Sequence, residues 1–315
     1  MFEPEKFIED SVGHLRKNID GNAIIGCSGG VDSTVAAVIV SRAIGDRLLA
    51  IYVDTGLMRK GENEVVDSIL TELKVNHKII DASDEFFDAL RGVTDPEAKR
   101  KVIGERFIRV FEREAKAWGS KYLVQGTIAP DWIESGGGIR DTIKSHHNVG
   151  GLPEIMDLQL VEPLRDLYKD EVRKVGRALK IRFSERQPFP GPALAIRIMG
   201  EVTREAAELC REANVIVEEE LQAAAEKGEI TIPWQYFAVL LSVRSVGVQG
   251  DIRAYGRTIA IRAVESVDGM TANYVRIPHD VLERMSIRIT NTLKDRVNRV
   301  VYDVTNKPPA TIEWE

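Results

Sequence analysis

The sequence predicts an α/β protein: a mostly parallel sheet with helices on both faces, followed by a smaller α+β unit. Three observations carry this. Apolar runs of strand length alternate with helical stretches through the first part of the chain. The first of those runs, Ala23-Ile24-Ile25-Gly26-Cys27, passes straight into a glycine-rich loop and then into a second apolar run, Val35–Val40. Further on, Gln187-Pro188-Phe189-Pro190-Gly191-Pro192 breaks the alternation, because such a segment continues neither a helix nor an inner strand. The break divides the chain into expected domains at 1–187 and 188–315.

Residues 5–19 read as an amphipathic helix with Phe7, Ile8, Val12 and Leu15 on one face. A strand at 22–27, the glycine loop and a helix at 33–44 follow. Leu48–Val53 is a second buried strand, ending in Asp54-Thr55-Gly56, and a helix over 62–73 leads to a third strand at 76–80. A charged helical region precedes a fourth strand, Tyr122-Leu123-Val124-Gln125, and Tyr168–Arg173 opens a later helix. In such sheets ligands bind beyond the carboxyl ends of the strands. The loop at 28–34, the turn at 53–56 and the turn at Gly126-Thr127 are all at such ends. Past the break the pattern gives a helix at 203–227, strands at 236–243 and 258–264, a helix at 279–293 and a strand at 297–304. No internal repeat or low-complexity tract is present.

The loop Ser28-Gly29-Gly30-Val31-Asp32-Ser33-Thr34 carries the strongest chemical signal. Glycines leave backbone N–H groups bare. The following helix aims its first N–H groups and its positive dipole end at the same spot, which makes a phosphate socket. Ser28, Ser33 and Thr34 add hydroxyls. Asp32 in an anion site makes sense with Mg²⁺ shared between the carboxylate and phosphate oxygens. No lysine stands at the helix start and the spacing is short, so this is not the Gly-x-x-x-x-Gly-Lys-Ser/Thr loop of kinases and GTPases.

Composition excludes several classes. Acidic residues number 49 against 43 basic ones, a net charge of −6, which argues against a dedicated nucleic-acid binder. No apolar run approaches the roughly 20 residues a membrane span needs, and the N-terminus is not a secretory signal. Two cysteines, Cys27 and Cys210, do not make a disulfide framework, so the expected compartment is cytoplasmic. Cys27 reads as a small residue closing a buried strand rather than a nucleophile.

Other segments leave alternatives open. The cations of Asp95–Gly104 (Lys99, Arg100, Lys101) fit either a solvated helix face or a flap that closes over phosphates. Asp131–Gly138 reads as a long loop with a glycine triplet, closed by Ile143–Gly151; the adjacent His146-His147 of that stretch do not suit metal ligation, and an anion or ribose contact, or plain loop structure, remains. Lys169 at a helix start opposes the dipole unless a phosphate sits there or the side chain snorkels to solvent. The terminal stretch Lys307-Pro308-Pro309-Ala310-Thr311-Ile312-Glu313-Trp314-Glu315 is stiff and carries an apolar residue and a Trp that favour burial, so it could clamp a small molecule.

Together, Ser28–Thr34, Asp95–Gly104, Lys144–Pro153, Leu167–Lys174, Gln187–Pro192, Arg244–Asp251 and Lys307–Glu315 resemble the GMP synthase family over essentially the whole chain. The resemblance implies an ATP pyrophosphatase (adenine nucleotide alpha hydrolase-like) domain and an α+β dimerisation domain. It implies a ligase: xanthosine monophosphate (XMP) attacks the α-phosphate of Mg-ATP, and ammonia then displaces AMP to give GMP. By the same resemblance Ser28, Gly29, Gly30, Val31, Asp32, Ser33, Thr34, Val53 and Lys169 hold the nucleotide, with Asp32 on Mg²⁺ and Lys169 on the phosphates. Arg197, Gln249, Lys307, Ile312 and Glu313 are the expected XMP residues. A homodimer is implied, as is a separate glutaminase subunit, because no Gly-x-Cys-x-Gly nucleophile turn occurs in the sequence. One departure stands out: the family pattern Pro-Phe-Pro-Gly-Pro-Gly-Leu has Ala193 at its second-last position here, which matters if that backbone needs φ > 0. Rival readings are another adenylating enzyme of the superfamily, making NAD or modifying tRNA, and a nucleotide-binding regulator without turnover. A tRNA enzyme calls for a basic RNA surface and usually a reactive cysteine, and neither is evident.

Overall fold

The computed structural model describes residues 2–134, 158–181, 187–249, 252–267 and 269–315. The glycine triplet at 136–138 and the stretch 144–153 with its two histidines lie outside the described residues. The chain divides into two compact units, each considered by itself: 1–55, 61–82 and 104–185 form the first; 56–60, 83–103 and 186–315 form the second.

The first unit is a five-stranded parallel sheet in the order β3-β2-β1-β4-β5. Its strands are β1 (Asn22–Gly26), β2 (Leu48–Asp54), β3 (His77–Asp81), β4 (Ser120–Val124) and β5 (Gln159–Val161). The central strands are buried on both faces, which is why they read as unbroken apolar runs. Helices α1 (Pro4–Asn18), α2 (Val31–Ile44) and a later helix, α7 (Lys169–Ala178), pack against one another. Helix α3 (Glu62–Glu72) packs on β2 and β3. Between α3 and α7 come α4 (Ser83–Leu90), α5 (Pro96–Trp118) and α6 (Ala129–Glu134); α4 and the first turns of α5 belong to the second unit. The α5 residue Phe111 lies 3.5 Å from where a Cβ on Gly26 would stand. The strand order reverses at β1: the chain runs outward to β2 and β3, then returns to place β4 on the other side of β1. Such a switch opens a crevice at the strand ends. The sequence does not announce β5, because three residues carry no periodicity.

The second unit has α8 (Arg204–Glu226), β6 (Gln235–Gln249), β7 (Ile252–Glu265), β8 (Asn273–Tyr274), α9 (His279–Thr292) and β9 (Val297–Tyr302). The long antiparallel pair β6–β7 is its spine, with β8 antiparallel and β9 parallel to β7. Helix α8 packs on β6, and α9 on α8 and β9. Both spine strands are longer than the sequence indicates. Their extensions pair Arg244 with Arg257 through Gln249 with Ile252, beyond a register shift after Leu240. The extension has little core beneath it: Val248 is 75% exposed and Tyr255 62%. Strand periodicity marks burial on one face, and this part of the ribbon lacks it.

Ala193 adopts φ 55°, in the left-handed region. It starts a 3₁₀ turn, Ala193–Arg197, and is buried. The position thus requires left-handed backbone, which alanine adopts with strain. Going to glycine relieves roughly 1–2 kcal/mol of left-handed strain, but gives up about 0.8 kcal/mol of methyl burial and about 0.5–1 kcal/mol of chain entropy. We expect Ala193→Gly to shift the urea midpoint very little. Ala193→Val combines a β-branched residue at positive φ with overpacking and loses about 3 kcal/mol; an unchanged midpoint for the valine variant would contradict the left-handed geometry.

Candidate functional site

The sheet's switch point holds the glycine loop. β1 ends at Gly26 and α2 starts at Val31. Gly29 has φ 75°, and a Cβ there would stand 2.9 Å from Val66 Cγ2, so both backbone and space require glycine. Gly30 enters α2 with extended backbone and no side chain caps the helix. The N–H groups of Val31, Asp32 and Ser33 therefore open outward at the positive end of the helix dipole. The Gly30 carbonyl ties the loop together. It accepts from the Thr34 hydroxyl at 2.8 Å, the Thr34 N–H at 3.1 Å and the Ser33 hydroxyl at 3.2 Å. The Gly30 N–H in turn donates to Ser28 Oγ at 3.3 Å. Ser28 and Ser33 are open to an incoming anion, whereas Thr34 is buried and its hydroxyl shapes the loop. On the far side of the switch, Gly126 follows β4; a Cβ on it would stand 3.0 Å from the Asp32 carbonyl carbon and the Ser33 nitrogen. A bare backbone at Gly126 is what lets α2 begin there.

Asp32 and Lys169, 137 residues apart, meet at the loop: Lys169 Nζ donates to Asp32 Oδ2 at 2.6 Å. Lys169 is the first residue of α7, where a cation opposes the dipole, and the carboxylate compensates. The second oxygen, Asp32 Oδ1, is buried and has no hydrogen-bond partner among the described residues. A bare carboxylate oxygen beside a phosphate nest is the donor a hard divalent cation takes. Among the described residues no group of three His, Cys, Asp or Glu side chains gathers to hold a metal. Mg²⁺ binds through one or two carboxylates together with phosphates and water. The residues present fit Mg²⁺. Val53 lies buried in β2, paired with Ile80 of β3, one residue before the strand's last, Asp54. Asp54 accepts from Asn63 Nδ2 at 2.5 Å.

Cys27 is buried below the loop, and burial pushes its thiol up to about 12. Burial likewise raises Cys210 to about 12, against the pull of nearby Arg197. Neither is a nucleophile at neutral pH.

In the second unit the terminal segment 307–315 is held by buried cations. Arg262 of β7 is fully buried and donates to four acceptors: Ile312 O at 2.8 Å, Thr311 O at 2.8 Å, Thr305 O at 2.9 Å and Asp303 Oδ2 at 2.7 Å. Arg197 is also fully buried and grips Glu313 with a two-pronged pair at 2.9 and 2.8 Å. Its guanidinium lies 4.0 Å over the Phe237 ring and 5.1 Å from that of Phe189. Its Nη1 is buried without a hydrogen-bond partner among the described residues. Gln235 adds a donor to Glu313 at 3.0 Å. Ile312 packs on Phe237, Val239 and Ala260. Lys307 donates to the Gly269 carbonyl at 2.7 Å, and its backbone bridges Ala272. Gln249 is the last residue of β6, and its side chain lies outside the described residues.

The structure thus brings Ser28 to Thr34 and Lys169 together in the first unit, and Arg197, Ile312 and Glu313 together in the second. Sequence reasoning missed Arg262 and misjudged Lys99. Arg262 stands as a lone charge inside the apolar run Thr258–Val264, which was a usable signal. Lys99 lies four residues before buried Ile103 and eleven before buried Val110, on the core stripe of α5. It is neither a solvated residue nor a free flap cation.

A parallel sheet with a glycine loop and an uncapped helix start at its switch point, beside a carboxylate oxygen with no hydrogen-bond partner among the described residues, is the layout of a nucleotide-binding protein of the α/β class. Comparison with known proteins narrows this. The model of the GMP synthase C terminal domain matches residues 219–314, and that of queuosine biosynthesis protein QueC matches 22–102. The B subunit of the glutamine-hydrolyzing GMP synthase of Pyrococcus furiosus is 58% identical, over 99% of this chain and 97% of that one. Its counterpart in Methanopyrus kandleri is 56% identical over 100% of both chains. The glutamine-hydrolyzing GMP synthase of Caldicellulosiruptor saccharolyticus is 57% identical over 100% of this chain but 62% of its own length. Among solved structures, NMN synthetase of Francisella tularensis aligns with a TM-score of 0.48 at 16% identity, over 62% of this chain and 79% of that one, too distant to argue from. The chain belongs to the family of these GMP synthase B subunits.

Because burial raises both thiols to about 12, they stay protonated at pH 8, with a thiolate fraction on the order of 10⁻⁴. A thiol reagent at pH 8 should label neither Cys27 nor Cys210 until denaturant is added. Rapid labelling of the native protein would reopen the nucleophile reading of Cys27.

Proposed function

We propose that this chain is the synthetase component of a GMP synthase, a carbon–nitrogen ligase that uses ATP to convert XMP and ammonia to GMP, AMP and pyrophosphate. The observation that carries the reading is the extent of the likeness. It runs at 58% identity through both the phosphate nest and the terminal segment, over 99% of the chain. The QueC match, by contrast, spans 22–102 and leaves out Lys169 and residues 307–315. An adenylating enzyme for NAD or tRNA is therefore the weaker reading.

The chemistry divides into two displacements. The C2 carbonyl oxygen of XMP attacks the α-phosphorus of ATP, and pyrophosphate leaves. Ammonia then adds at C2, AMP leaves from the O-adenylated XMP, and a proton is lost to give the amino group of GMP. The substrate brings the first nucleophile, so no activated Ser or Cys is needed. What the protein supplies is alignment and charge stabilisation. In our reading the N–H groups of the loop Ser28 to Thr34, with the Ser28 and Ser33 hydroxyls, bind the phosphates that depart. Lys169 moves from Asp32 Oδ2 to the phosphates when ATP enters, since both compete for the same ammonium. Asp32 holds Mg²⁺, which when bound neutralises phosphate charge. Val53 lends its backbone to adenine. In the second unit Arg197, Gln249, Lys307, Ile312 and Glu313 hold XMP, with the orphaned Arg197 Nη1 a ready donor to a ligand acceptor.

The partners follow from the same reading: a second copy of the chain through the 188–315 domain, and a separate glutaminase that delivers ammonia. The naming of the Pyrococcus relative as one subunit of its enzyme, and the 62% coverage of the longer relative, support the second of these. No helix among the described residues is long and apolar enough to cross a membrane, and we place the enzyme in the cytoplasm, with no nucleic acid among its substrates.

Incubation with ATP, Mg²⁺, XMP and an ammonium salt should yield GMP, AMP and pyrophosphate in equal amounts. ATP consumption that ignores XMP overturns the proposal. Asp32→Asn keeps the shape of the side chain but loses the charge. It should lower kcat by at least about a hundredfold with an unchanged circular dichroism spectrum; near-normal turnover would remove Asp32 from the metal. Glutamine offered to the pure chain in place of ammonium should give no GMP, and GMP from glutamine alone would disprove the need for a separate glutaminase.

A further inference from the structure

We infer that Lys99 is a positioning residue for the purine nucleotide: its buried ammonium ties Glu315 to the turn that carries Arg197 and so fixes where Arg197 and Glu313 stand. This rests on the reading of 307–315 as the XMP-holding segment.

Lys99 sits in the first turns of α5, within the second unit. Its side chain is 0% exposed. An ammonium has three protons to donate, and three acceptors surround this one: the Ile198 carbonyl at 2.7 Å, the Ala195 carbonyl at 3.3 Å and the Glu315 carboxylate. Every proton is committed, so Lys99 cannot itself contact a nucleotide. Burial pulls its pKa down, while Glu315 pushes it back up. A buried ion pair contributes little stability beyond what well-packed apolar side chains of similar volume provide. Its consequence here is geometric.

Ala195 and Ile198 flank Arg197. Arg197 grips Glu313, two residues before Glu315. The contacts close a ring: Lys99 to the turn, the turn through Arg197 to Glu313, and Glu313 along the chain to Glu315 and back to Lys99. Trp314, between the two glutamates, donates instead to Asp303 at 3.1 Å, the carboxylate that Arg262 also holds. Alternate residues of the segment are therefore pinned to different partners. Arg100, next to Lys99, donates to the Glu315 carbonyl. Inside this ring the Arg197 Nη1 is buried and has no hydrogen-bond partner among the described residues. A buried donor without an acceptor is destabilising on its own, which points to a ligand acceptor as its partner. If the ring slackens, that donor and the Glu313 carboxylate shift together.

The test uses the full chain with ammonium as nitrogen donor and reads KM for XMP, KM for ATP, kcat and the melting temperature. Two variants open the ring: Glu315→Ala, and the double variant Lys99→Met with Glu315→Leu, which replaces the pair by apolar side chains. Glu313→Gln serves as the control for the segment itself. The expected result is a rise of about tenfold or more in KM for XMP, with KM for ATP within about twofold and a melting temperature close to that of the parent for the double variant. A folded variant with KM for XMP unchanged, while Glu313→Gln raises it, overturns the role of Lys99 and leaves the XMP-holding segment standing. An unchanged KM for XMP in Glu313→Gln as well removes the segment's role and the inference with it. Equal losses in both KM values and kcat mark Lys99 as merely structural and also overturn the inference.

Discussion

Everything at the phosphate end depends on one constraint: backbone N–H groups must face an anion with nothing in the way. The start of α2 supplies them only if the chain leaves β1, turns through a left-handed residue and enters the helix without a capping side chain. Gly29 makes the turn at φ 75°, and Gly30 makes the entry. The strand order places β4 beside β1, which would crowd the helix start if Gly126 had a side chain. Charge completes the arrangement. Asp32 and Lys169 arrive from opposite ends of the unit's sequence and pair at the loop.

The second unit solves a different problem, the ordering of a terminal segment that has almost no regular structure. Chain ends fray unless their backbone groups find partners. Here a fully buried arginine, Arg262, serves as a peg, with carbonyls of Thr305, Thr311 and Ile312 wrapped round one guanidinium. Its planar fork has enough donors to do this, where a lysine would not. Arg197 and Lys99 hold the acidic side chains of the same segment. Buried cations need partners on nearly every proton, and that demand makes the geometry rigid. Among the described residues Arg197 Nη1 has no hydrogen-bond partner, and neither has Arg106 Nε of α5.

The legibility of the chain followed burial. The apolar strands of the first sheet and the loop between β1 and α2 could be read directly, because both rest on local pattern: a buried run, then bare glycines, then a helix start. The outer half of the β6–β7 ribbon could not, since Val246, Val248 and Tyr255 are exposed and leave no inward-facing period. Lys99 read as one of three cations of either a solvated helix face or a flap. Its place on the stripe of Ile103 and Val110 was present in the numbering, but helical phase alone does not say that a charge is buried.

By itself, the sequence determined the α/β class, the glycine loop with Asp32 at a strand-to-helix junction, and the need for special residues at a few backbone positions, because these depend on neighbours within one or two turns. Only the tertiary structure decided that Lys169 reaches Asp32, that Asp32 keeps one oxygen bare, that Ala193 is left-handed, and that Lys99 and Arg262 are buried pegs rather than surface charges. The physical reason is distance along the chain: whether a charge is solvated or buried is set by partners that lie tens to hundreds of residues away.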